Sequence, residues 1–222
     1  MRNPSYLKFT KFIFGAIFGV FLAFNTLNAQ TLKEGRDYIV LQKPLDVPQK
    51  SIVEIFNVGC PHCAKMSEIL PRLFAVIPQE AVFLPYHIIT QNAFSAQASE
   101  VLAVAVSIDA ERNLHSRDIE SYFRRASNAY FDAFFKQQKK FKNKEAFIAW
   151  GLDAMEISQT KFETQRRSQE VQEMLKVWQD SVEQTGIQSV PAFIVNGKYL
   201  ILQDALKDAE DFIYKVDYLL GK

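Results

Sequence analysis

The 222-residue sequence holds two cysteines, three positions apart in Cys60-Pro61-His62-Cys63. A disulfide-stapled secreted domain distributes more cysteines at wider spacing, and a tetrahedral zinc site needs four ligands, so neither is completed here. A redox centre or a small inert loop disulfide remains. If a helix starts at the motif, Cys60 sits at its positive end beside unpaired backbone N–H groups. Both effects favour the thiolate, the attacking species in disulfide exchange. Cys63 lies one turn further in, within reach of a mixed disulfide formed at Cys60. Pro61 suits the first helical turn, where no backbone donor is needed, and His62 can set a positive or donor group beside the sulfur. A stabilised thiolate stabilises the dithiol and makes the disulfide more oxidising.

The surrounding elements have to deliver that geometry. Ile52 to Val58 is β-branched and aromatic and ends at Gly59, a buried strand by composition. After Pro61 the period changes: Met66, Ile69, Leu70, Leu73, Phe74 and Ile77 recur at helical spacing, with Pro71 expected to kink or restart the helix. Tyr38 to Leu41 reads as a first strand, and Ala81 to Ile89 as another. Between about 92 and 178 no strand is evident. Apolar positions such as Val101, Leu102, Phe131 and Leu152 fall at helical spacing instead, and the aromatic interleaving there is read as packing, as are Trp150 and Trp178. Val190 to Val195 and Lys198 to Leu202 flank Asn196-Gly197, a strong hairpin signal. A helix over 204–220 closes the chain. The order β, β-α-β, helical block, ββα predicts an α/β, thioredoxin-like fold with a large inserted helical domain. Its parts are 30–91 (core, first part), 92–178 (insertion) and 179–222 (core, second part).

Residues 1–29 stand apart. Arg2, Lys8 and Lys11 precede an apolar run from Phe12 to Phe24, and Leu27-Asn28-Ala29 ends in a small residue, the order of a cleaved secretory signal. An uncleaved anchor is the alternative, but the run is shorter than the ~20 residues that cross a bilayer. Taking those three basic residues from the 26 in the chain leaves 23 against 25 acidic ones. No basic excess is left to neutralise phosphates, so nucleic acid is excluded as a partner.

Phe56 to Cys63 with Glu54 ahead, the Val190-Pro191-Ala192 turn and the Asn196-Gly197-Lys198-Tyr199 hairpin resemble the bacterial periplasmic DsbA family, whose redox tetrapeptide is Cys-Pro-His-Cys. The resemblance implies a thiol–disulfide oxidoreductase with Cys60 and Cys63 as its redox disulfide. Pro61 and His62 would tune it, and Val190-Pro191 would form a cis peptide whose backbone holds the substrate strand. It implies that Glu54 moves protons to or from the buried thiol, an edge-strand surface carboxylate being the plainer alternative. In the family a lysine precedes a Tyr-His pair and partners that carboxylate. Here Pro85 stands before Tyr86-His87, so the pairing is lost. His87 is read as a structural strand residue, and His115 carries no signal.

The implied partners are reduced, unfolded exported polypeptides and a DsbB-type, quinone-linked membrane reoxidant, with periplasmic localisation and a monomer expected. No flavin or nucleotide motif is present, so no cofactor is expected and the electrons must leave through another protein. Two alternatives remain from the sequence: a periplasmic disulfide reductase or isomerase, and a substrate-binding chaperone in which the disulfide is incidental.

Overall fold

The structure, a computed structural model, describes residues 31–222; the expected signal, 1–29, lies outside them. Three strands of the central sheet come from before the helical block or its start and two from after it: β1 (Tyr38–Val40), β2 (Ser51–Phe56), β3 (Val82–His87), β4 (Ala192–Val195) and β5 (Tyr199–Ile201). They lie in the order β1-β5-β4-β2-β3. β2 pairs with β3 in parallel and with β4 antiparallel, and every one of its residues is buried. That explains its near-continuous apolar run, since a strand covered on both faces does not alternate. β3 is an edge strand, which is why it tolerates Pro85: one side of an edge strand needs no donor.

The β4–β5 connection follows the hairpin reading, with Asn196 at φ 55° and Gly197 at φ 65°, the left-handed pair that a tight two-residue turn requires. Gly197 is also the only type that fits, because a Cβ there would stand 2.4 Å from the Leu45 carbonyl oxygen.

Helix α1 (Pro61–Phe74) leaves the C-terminal end of β2 and packs against α7 (Ala209–Leu220). It runs through Pro71 as one element rather than being restarted there. Only one ladder donor is lost, and the Ala75 N–H already bonds back to the Pro71 carbonyl at 3.2 Å. Between β3 and β4 come α2 (Ser95–Glu111), α3 (Tyr122–Phe131), a π-helical turn (Asp132–Lys136), α4 (Lys144–Met155), α5 (Gln159–Gln165) and α6 (Gln169–Thr185). This is the inserted helical domain, and α2 is its hub, touching α3, α4, α5 and α6 as well as β3. The block's aromatic side chains pack together: Tyr130 and Phe147 stack at 4.3 Å, and Phe94 stacks on Phe147 at 5.2 Å. Trp150 donates to the Ala129 carbonyl and Trp178 stacks on Tyr86.

Two boundaries differ from the sequence reading. α6 continues beyond Trp178 to Thr185, because its buried face is completed by Ser181 and Thr185, which hydrophobic spacing does not register. The closing helix starts at Ala209 rather than at 204: residues 203–205 form a 3₁₀ turn, and Asp208 caps α7 by accepting the Asp211 N–H at 2.8 Å.

Candidate active site

The buried strand β2 ends at Phe56, and the next four residues turn the chain into α1. Cys60 is the helix N-cap, with Pro61 at the first helical position. The Cys63 N–H points at Cys60 Sγ, 3.4 Å away, and the Cys60 thiol lies 3.4 Å from the Val190 carbonyl oxygen. Val190–Pro191 is cis, so the loop before β4 brings its backbone directly against the nucleophile. Cys60 is half-buried, Cys63 is buried, and Pro61 and His62 are exposed.

The two thiols sit in opposite electrostatic settings. A hydrogen bond from the Cys63 side chain brings Cys60 down to about 6 against the opposing effect of burial. The N–H groups of Cys63 and His62 and the charge of His62 add to the lowering. Burial pushes Cys63 far above the ordinary thiol range. Its hydrogen bond to Cys60 and the nearby charges of Glu54 and Cys60 push the same way. Cys60 is therefore the thiolate at neutral pH and Cys63 the protonated partner, as an attacking and a resolving sulfur require.

Glu54 lies in the middle of β2, 3% exposed, rather than at a surface edge. Its register partners are Pro85 on β3 and Phe193 on β4. Among the described residues no hydrogen bond or ion pair reaches its side chain. Burial, and to a lesser extent the charge of Cys60, together raise its carboxyl to about 8. A cavity of about 20 Å³ beside it is lined also by Ser67, Ser127 and Asn128, enough room and polarity for one water.

Several further residues support the site without belonging to its motifs. Gln203 Nε2 donates to the Pro191 carbonyl at 2.7 Å and so ties the cis-proline loop to the 3₁₀ turn. Asn57 accepts the Gly59 N–H at 2.8 Å and steadies the turn into α1. His87, at the buried end of β3, meets the Val58 N–H. An asparagine after a strand is itself a turn signal and could have been found; Gln203 could not, since only the fold brings it to Pro191. His115 is exposed in the α2–α3 connection. Among the described residues no group of three or more His, Cys, Asp or Glu side chains is placed to hold a metal ion.

Two clefts flank the motif. One, of about 460 Å³, is lined by Ile187, Ser189, Leu202 and Gln203 beside the cis-proline loop. The other, of about 430 Å³, runs between α1 and the helical block from Pro61 past Lys65 to Phe131 and Phe135.

The thioredoxin family model matches residues 48–215. The chain is 35% identical over 189 residues to the thiol:disulfide interchange protein DsbL of Escherichia coli O6:H1, covering 83% of this chain and 85% of the relative. It is 27% identical over 198 residues to the thiol:disulfide interchange protein DsbA of Dickeya dadantii, with 86% of each chain covered. Among solved structures, DsbL of Salmonella enterica serovar Typhimurium matches with a TM-score of 0.76 at 33% identity, covering 86% of this chain and 98% of that one.

Proposed function

The chain belongs to the DsbA family of thiol:disulfide interchange proteins and is a thiol–disulfide oxidoreductase, and we propose that it donates its Cys60–Cys63 disulfide to reduced polypeptides newly exported to the periplasm. The observation that carries this reading is the asymmetry of the two sulfurs. A nucleophilic sulfur with a pKa of about 6 is a stable thiolate and a good leaving group, which favours the reduced protein and hence the gift of its disulfide.

In the first step a substrate thiolate attacks Cys60 Sγ, forming a mixed disulfide and breaking the Cys60–Cys63 bond. Cys63 leaves as a buried thiolate and takes up a proton. Glu54, protonated up to about pH 8, is the nearby group that supplies it. In the second step another substrate thiolate attacks the substrate's own sulfur, and Cys60 leaves as the thiolate held by the Cys63 N–H. Two electrons have moved from substrate to protein, and the substrate keeps the disulfide. The backbone at Val190 and Pro191 holds the substrate strand, and the cleft at Ile187, Leu202 and Gln203 receives its side chains.

The reduced pair is returned to the disulfide by a membrane partner of the DsbB type that passes electrons to quinone. Residues 1–29 serve as the export signal, in keeping with their basic, apolar and small-residue order. The relatives favour neither a reductase or isomerase nor a chaperone with an incidental disulfide.

Equilibration of protein lacking residues 1–29 with glutathione tests the direction of transfer. A donor shows a potential displaced from thioredoxin's, about −270 mV, towards about −120 mV, the latter a value known for DsbA itself rather than deduced from this site. A potential at the thioredoxin end would make the protein a reductase. Cys60→Ser should abolish exchange, and turnover retained by that variant would defeat the assignment.

A further inference from the structure

The turn that carries the nucleophile is braced from the inserted helical block. Asn57 Nδ2 donates to the Ile88 carbonyl and to the Ser95 hydroxyl, both at 2.8 Å. The next N–H, that of Val58, lies 3.1 Å from His87 Nε2. His87 Nδ1 is 2.7 Å from Ser99 Oγ, and the Ser99 hydroxyl is 3.3 Å from the His87 carbonyl oxygen. Ser95 and Ser99 are one turn apart on α2, and His87 and Ser99 are fully buried.

Assigning the protons leaves one arrangement. A backbone N–H can only donate, so Nε2 must offer a lone pair and the neutral ring carries its hydrogen on Nδ1. That hydrogen goes to Ser99 Oγ, whose own hydrogen goes to the His87 carbonyl. A charged ring would set Nε2–H against the Val58 N–H. Burial opposes the charge as well, holding the ring's pKa down to about 3.

We propose that His87, fixed in this tautomer by Ser99, is a positioning residue of the redox site: it holds Val58 and thereby the turn that delivers Cys60 to the start of α1. The inference rests on the disulfide-exchange reading above. Its force comes from the short chain of bonds between the ring and the sulfur. Val58 is two residues from Cys60, whose N–H closes the turn on the Asn57 carbonyl at 3.0 Å. The Cys60 thiolate depends on N–H groups whose hydrogen bonds weaken steeply on misalignment. Without an acceptor, Val58 becomes a buried unpaired donor, and the backbone shift that relieves it falls on this turn.

Two replacements separate positioning from packing. The His87→Gln side chain reaches where Nε2 stands and keeps an acceptor for Val58. The His87→Asn side chain reaches only where Nδ1 stands and leaves Val58 unpaired. Both lose the edge-on contact of the ring with Phe56, so both lose stability.

His87→Asn should raise the Cys60 pKa, read from thiolate absorbance, and shift the glutathione equilibrium towards a weaker oxidant by about three- to tenfold. His87→Gln should stay within about twofold of the parent, and Ser99→Ala should shift in the same direction as His87→Asn. Equal equilibria for the two His87 variants would overturn the proposal. So would an Nε2–H tautomer for His87 in nitrogen–proton correlation spectra of the parent protein. If His87→Asn does not fold, Ser99→Ala decides, and an equilibrium identical to the parent's refutes the role. Failure of the parent to exchange with glutathione at all would sink the functional reading instead, while the tautomer spectrum would still report on the Ser99–His87–Val58 geometry.

Discussion

Of the places where this molecule buries ionisable side chains, two have completely different surroundings. On α7, Lys215 is 2% exposed, and its ammonium is enclosed by the Ala205 carbonyl, Asp211 at 2.7 Å and Asp37 at 3.6 Å. Asp37 in turn accepts N–H groups from Lys33 and Arg36, each at 2.9 Å. Every charge there has a fixed partner. Under the redox pair, Glu54 is as deeply buried and has Pro85 and Phe193 across the strands instead of a cation. A buried charge with partners is held in one protonation state and serves to join elements, here β1, α7 and the 3₁₀ turn. A buried carboxyl without partners is held near neutrality and can exchange a proton at ordinary pH. The same burial thus yields a fastener in one place and a proton carrier in the other.

The largest effect should come from breaking the enclosed set. Lys215→Met leaves Asp211 without its buried cation and Asp37 with Arg36 alone, and should cost about 3 kcal/mol in urea unfolding. A cost no greater than that of an exposed lysine would erase the distinction between the two regions.

Glu54→Gln should act in the opposite sense. The folded pKa of Glu54, about 8, lies above its ordinary 4.5, so the folded protein binds the extra proton between those values. Parent stability should fall as pH rises from about 4.5 and level off above about 8. The glutamine variant should lack that slope and be more stable at pH 9 by on the order of a few kcal/mol. Unfolding midpoints at pH 5 and pH 9 measure both proteins, and parallel curves would show that Glu54 is not held protonated.

Pro85→Lys should bring the two regions closer together by placing an ammonium opposite Glu54. The carboxyl pKa should drop by about 1–3 units, which carbon-detected titration of labelled glutamate would read. An unmoved pKa would mean that the missing cation is not what leaves Glu54 bare.

What the sequence made legible follows the same division between local and distant causes. The strand, the two cysteines and the start of α1 are contiguous from Ile52 to Phe74, and the Asn196-Gly197 turn is encoded in two adjacent residues, so composition and period suffice. Glu54 is different: its place opposite Pro85 depends on register, which no local pattern contains and which the family resemblance alone supplied. Gln203 reaches Pro191, and His87 reaches Val58, only after the sheet has formed. Lys215 looks like any lysine on an amphipathic helix until β1 brings Asp37 to it. Of the two effects expected of Pro71, a kink or a restart, the restart does not occur, because the ladder resumes at Ala75.

Pro85 has a second consequence, at the edge of the sheet. An edge strand offers a row of free backbone groups that an extended chain can join. β3 is an edge strand, and at Pro85 it has no N–H to offer. Pro85 is itself buried, and the helical block takes the next outward step of the edge, where Gln179 and Ser99 both donate to the His87 carbonyl, so the sheet is closed on this side by a missing donor and by side chains together rather than by a further strand.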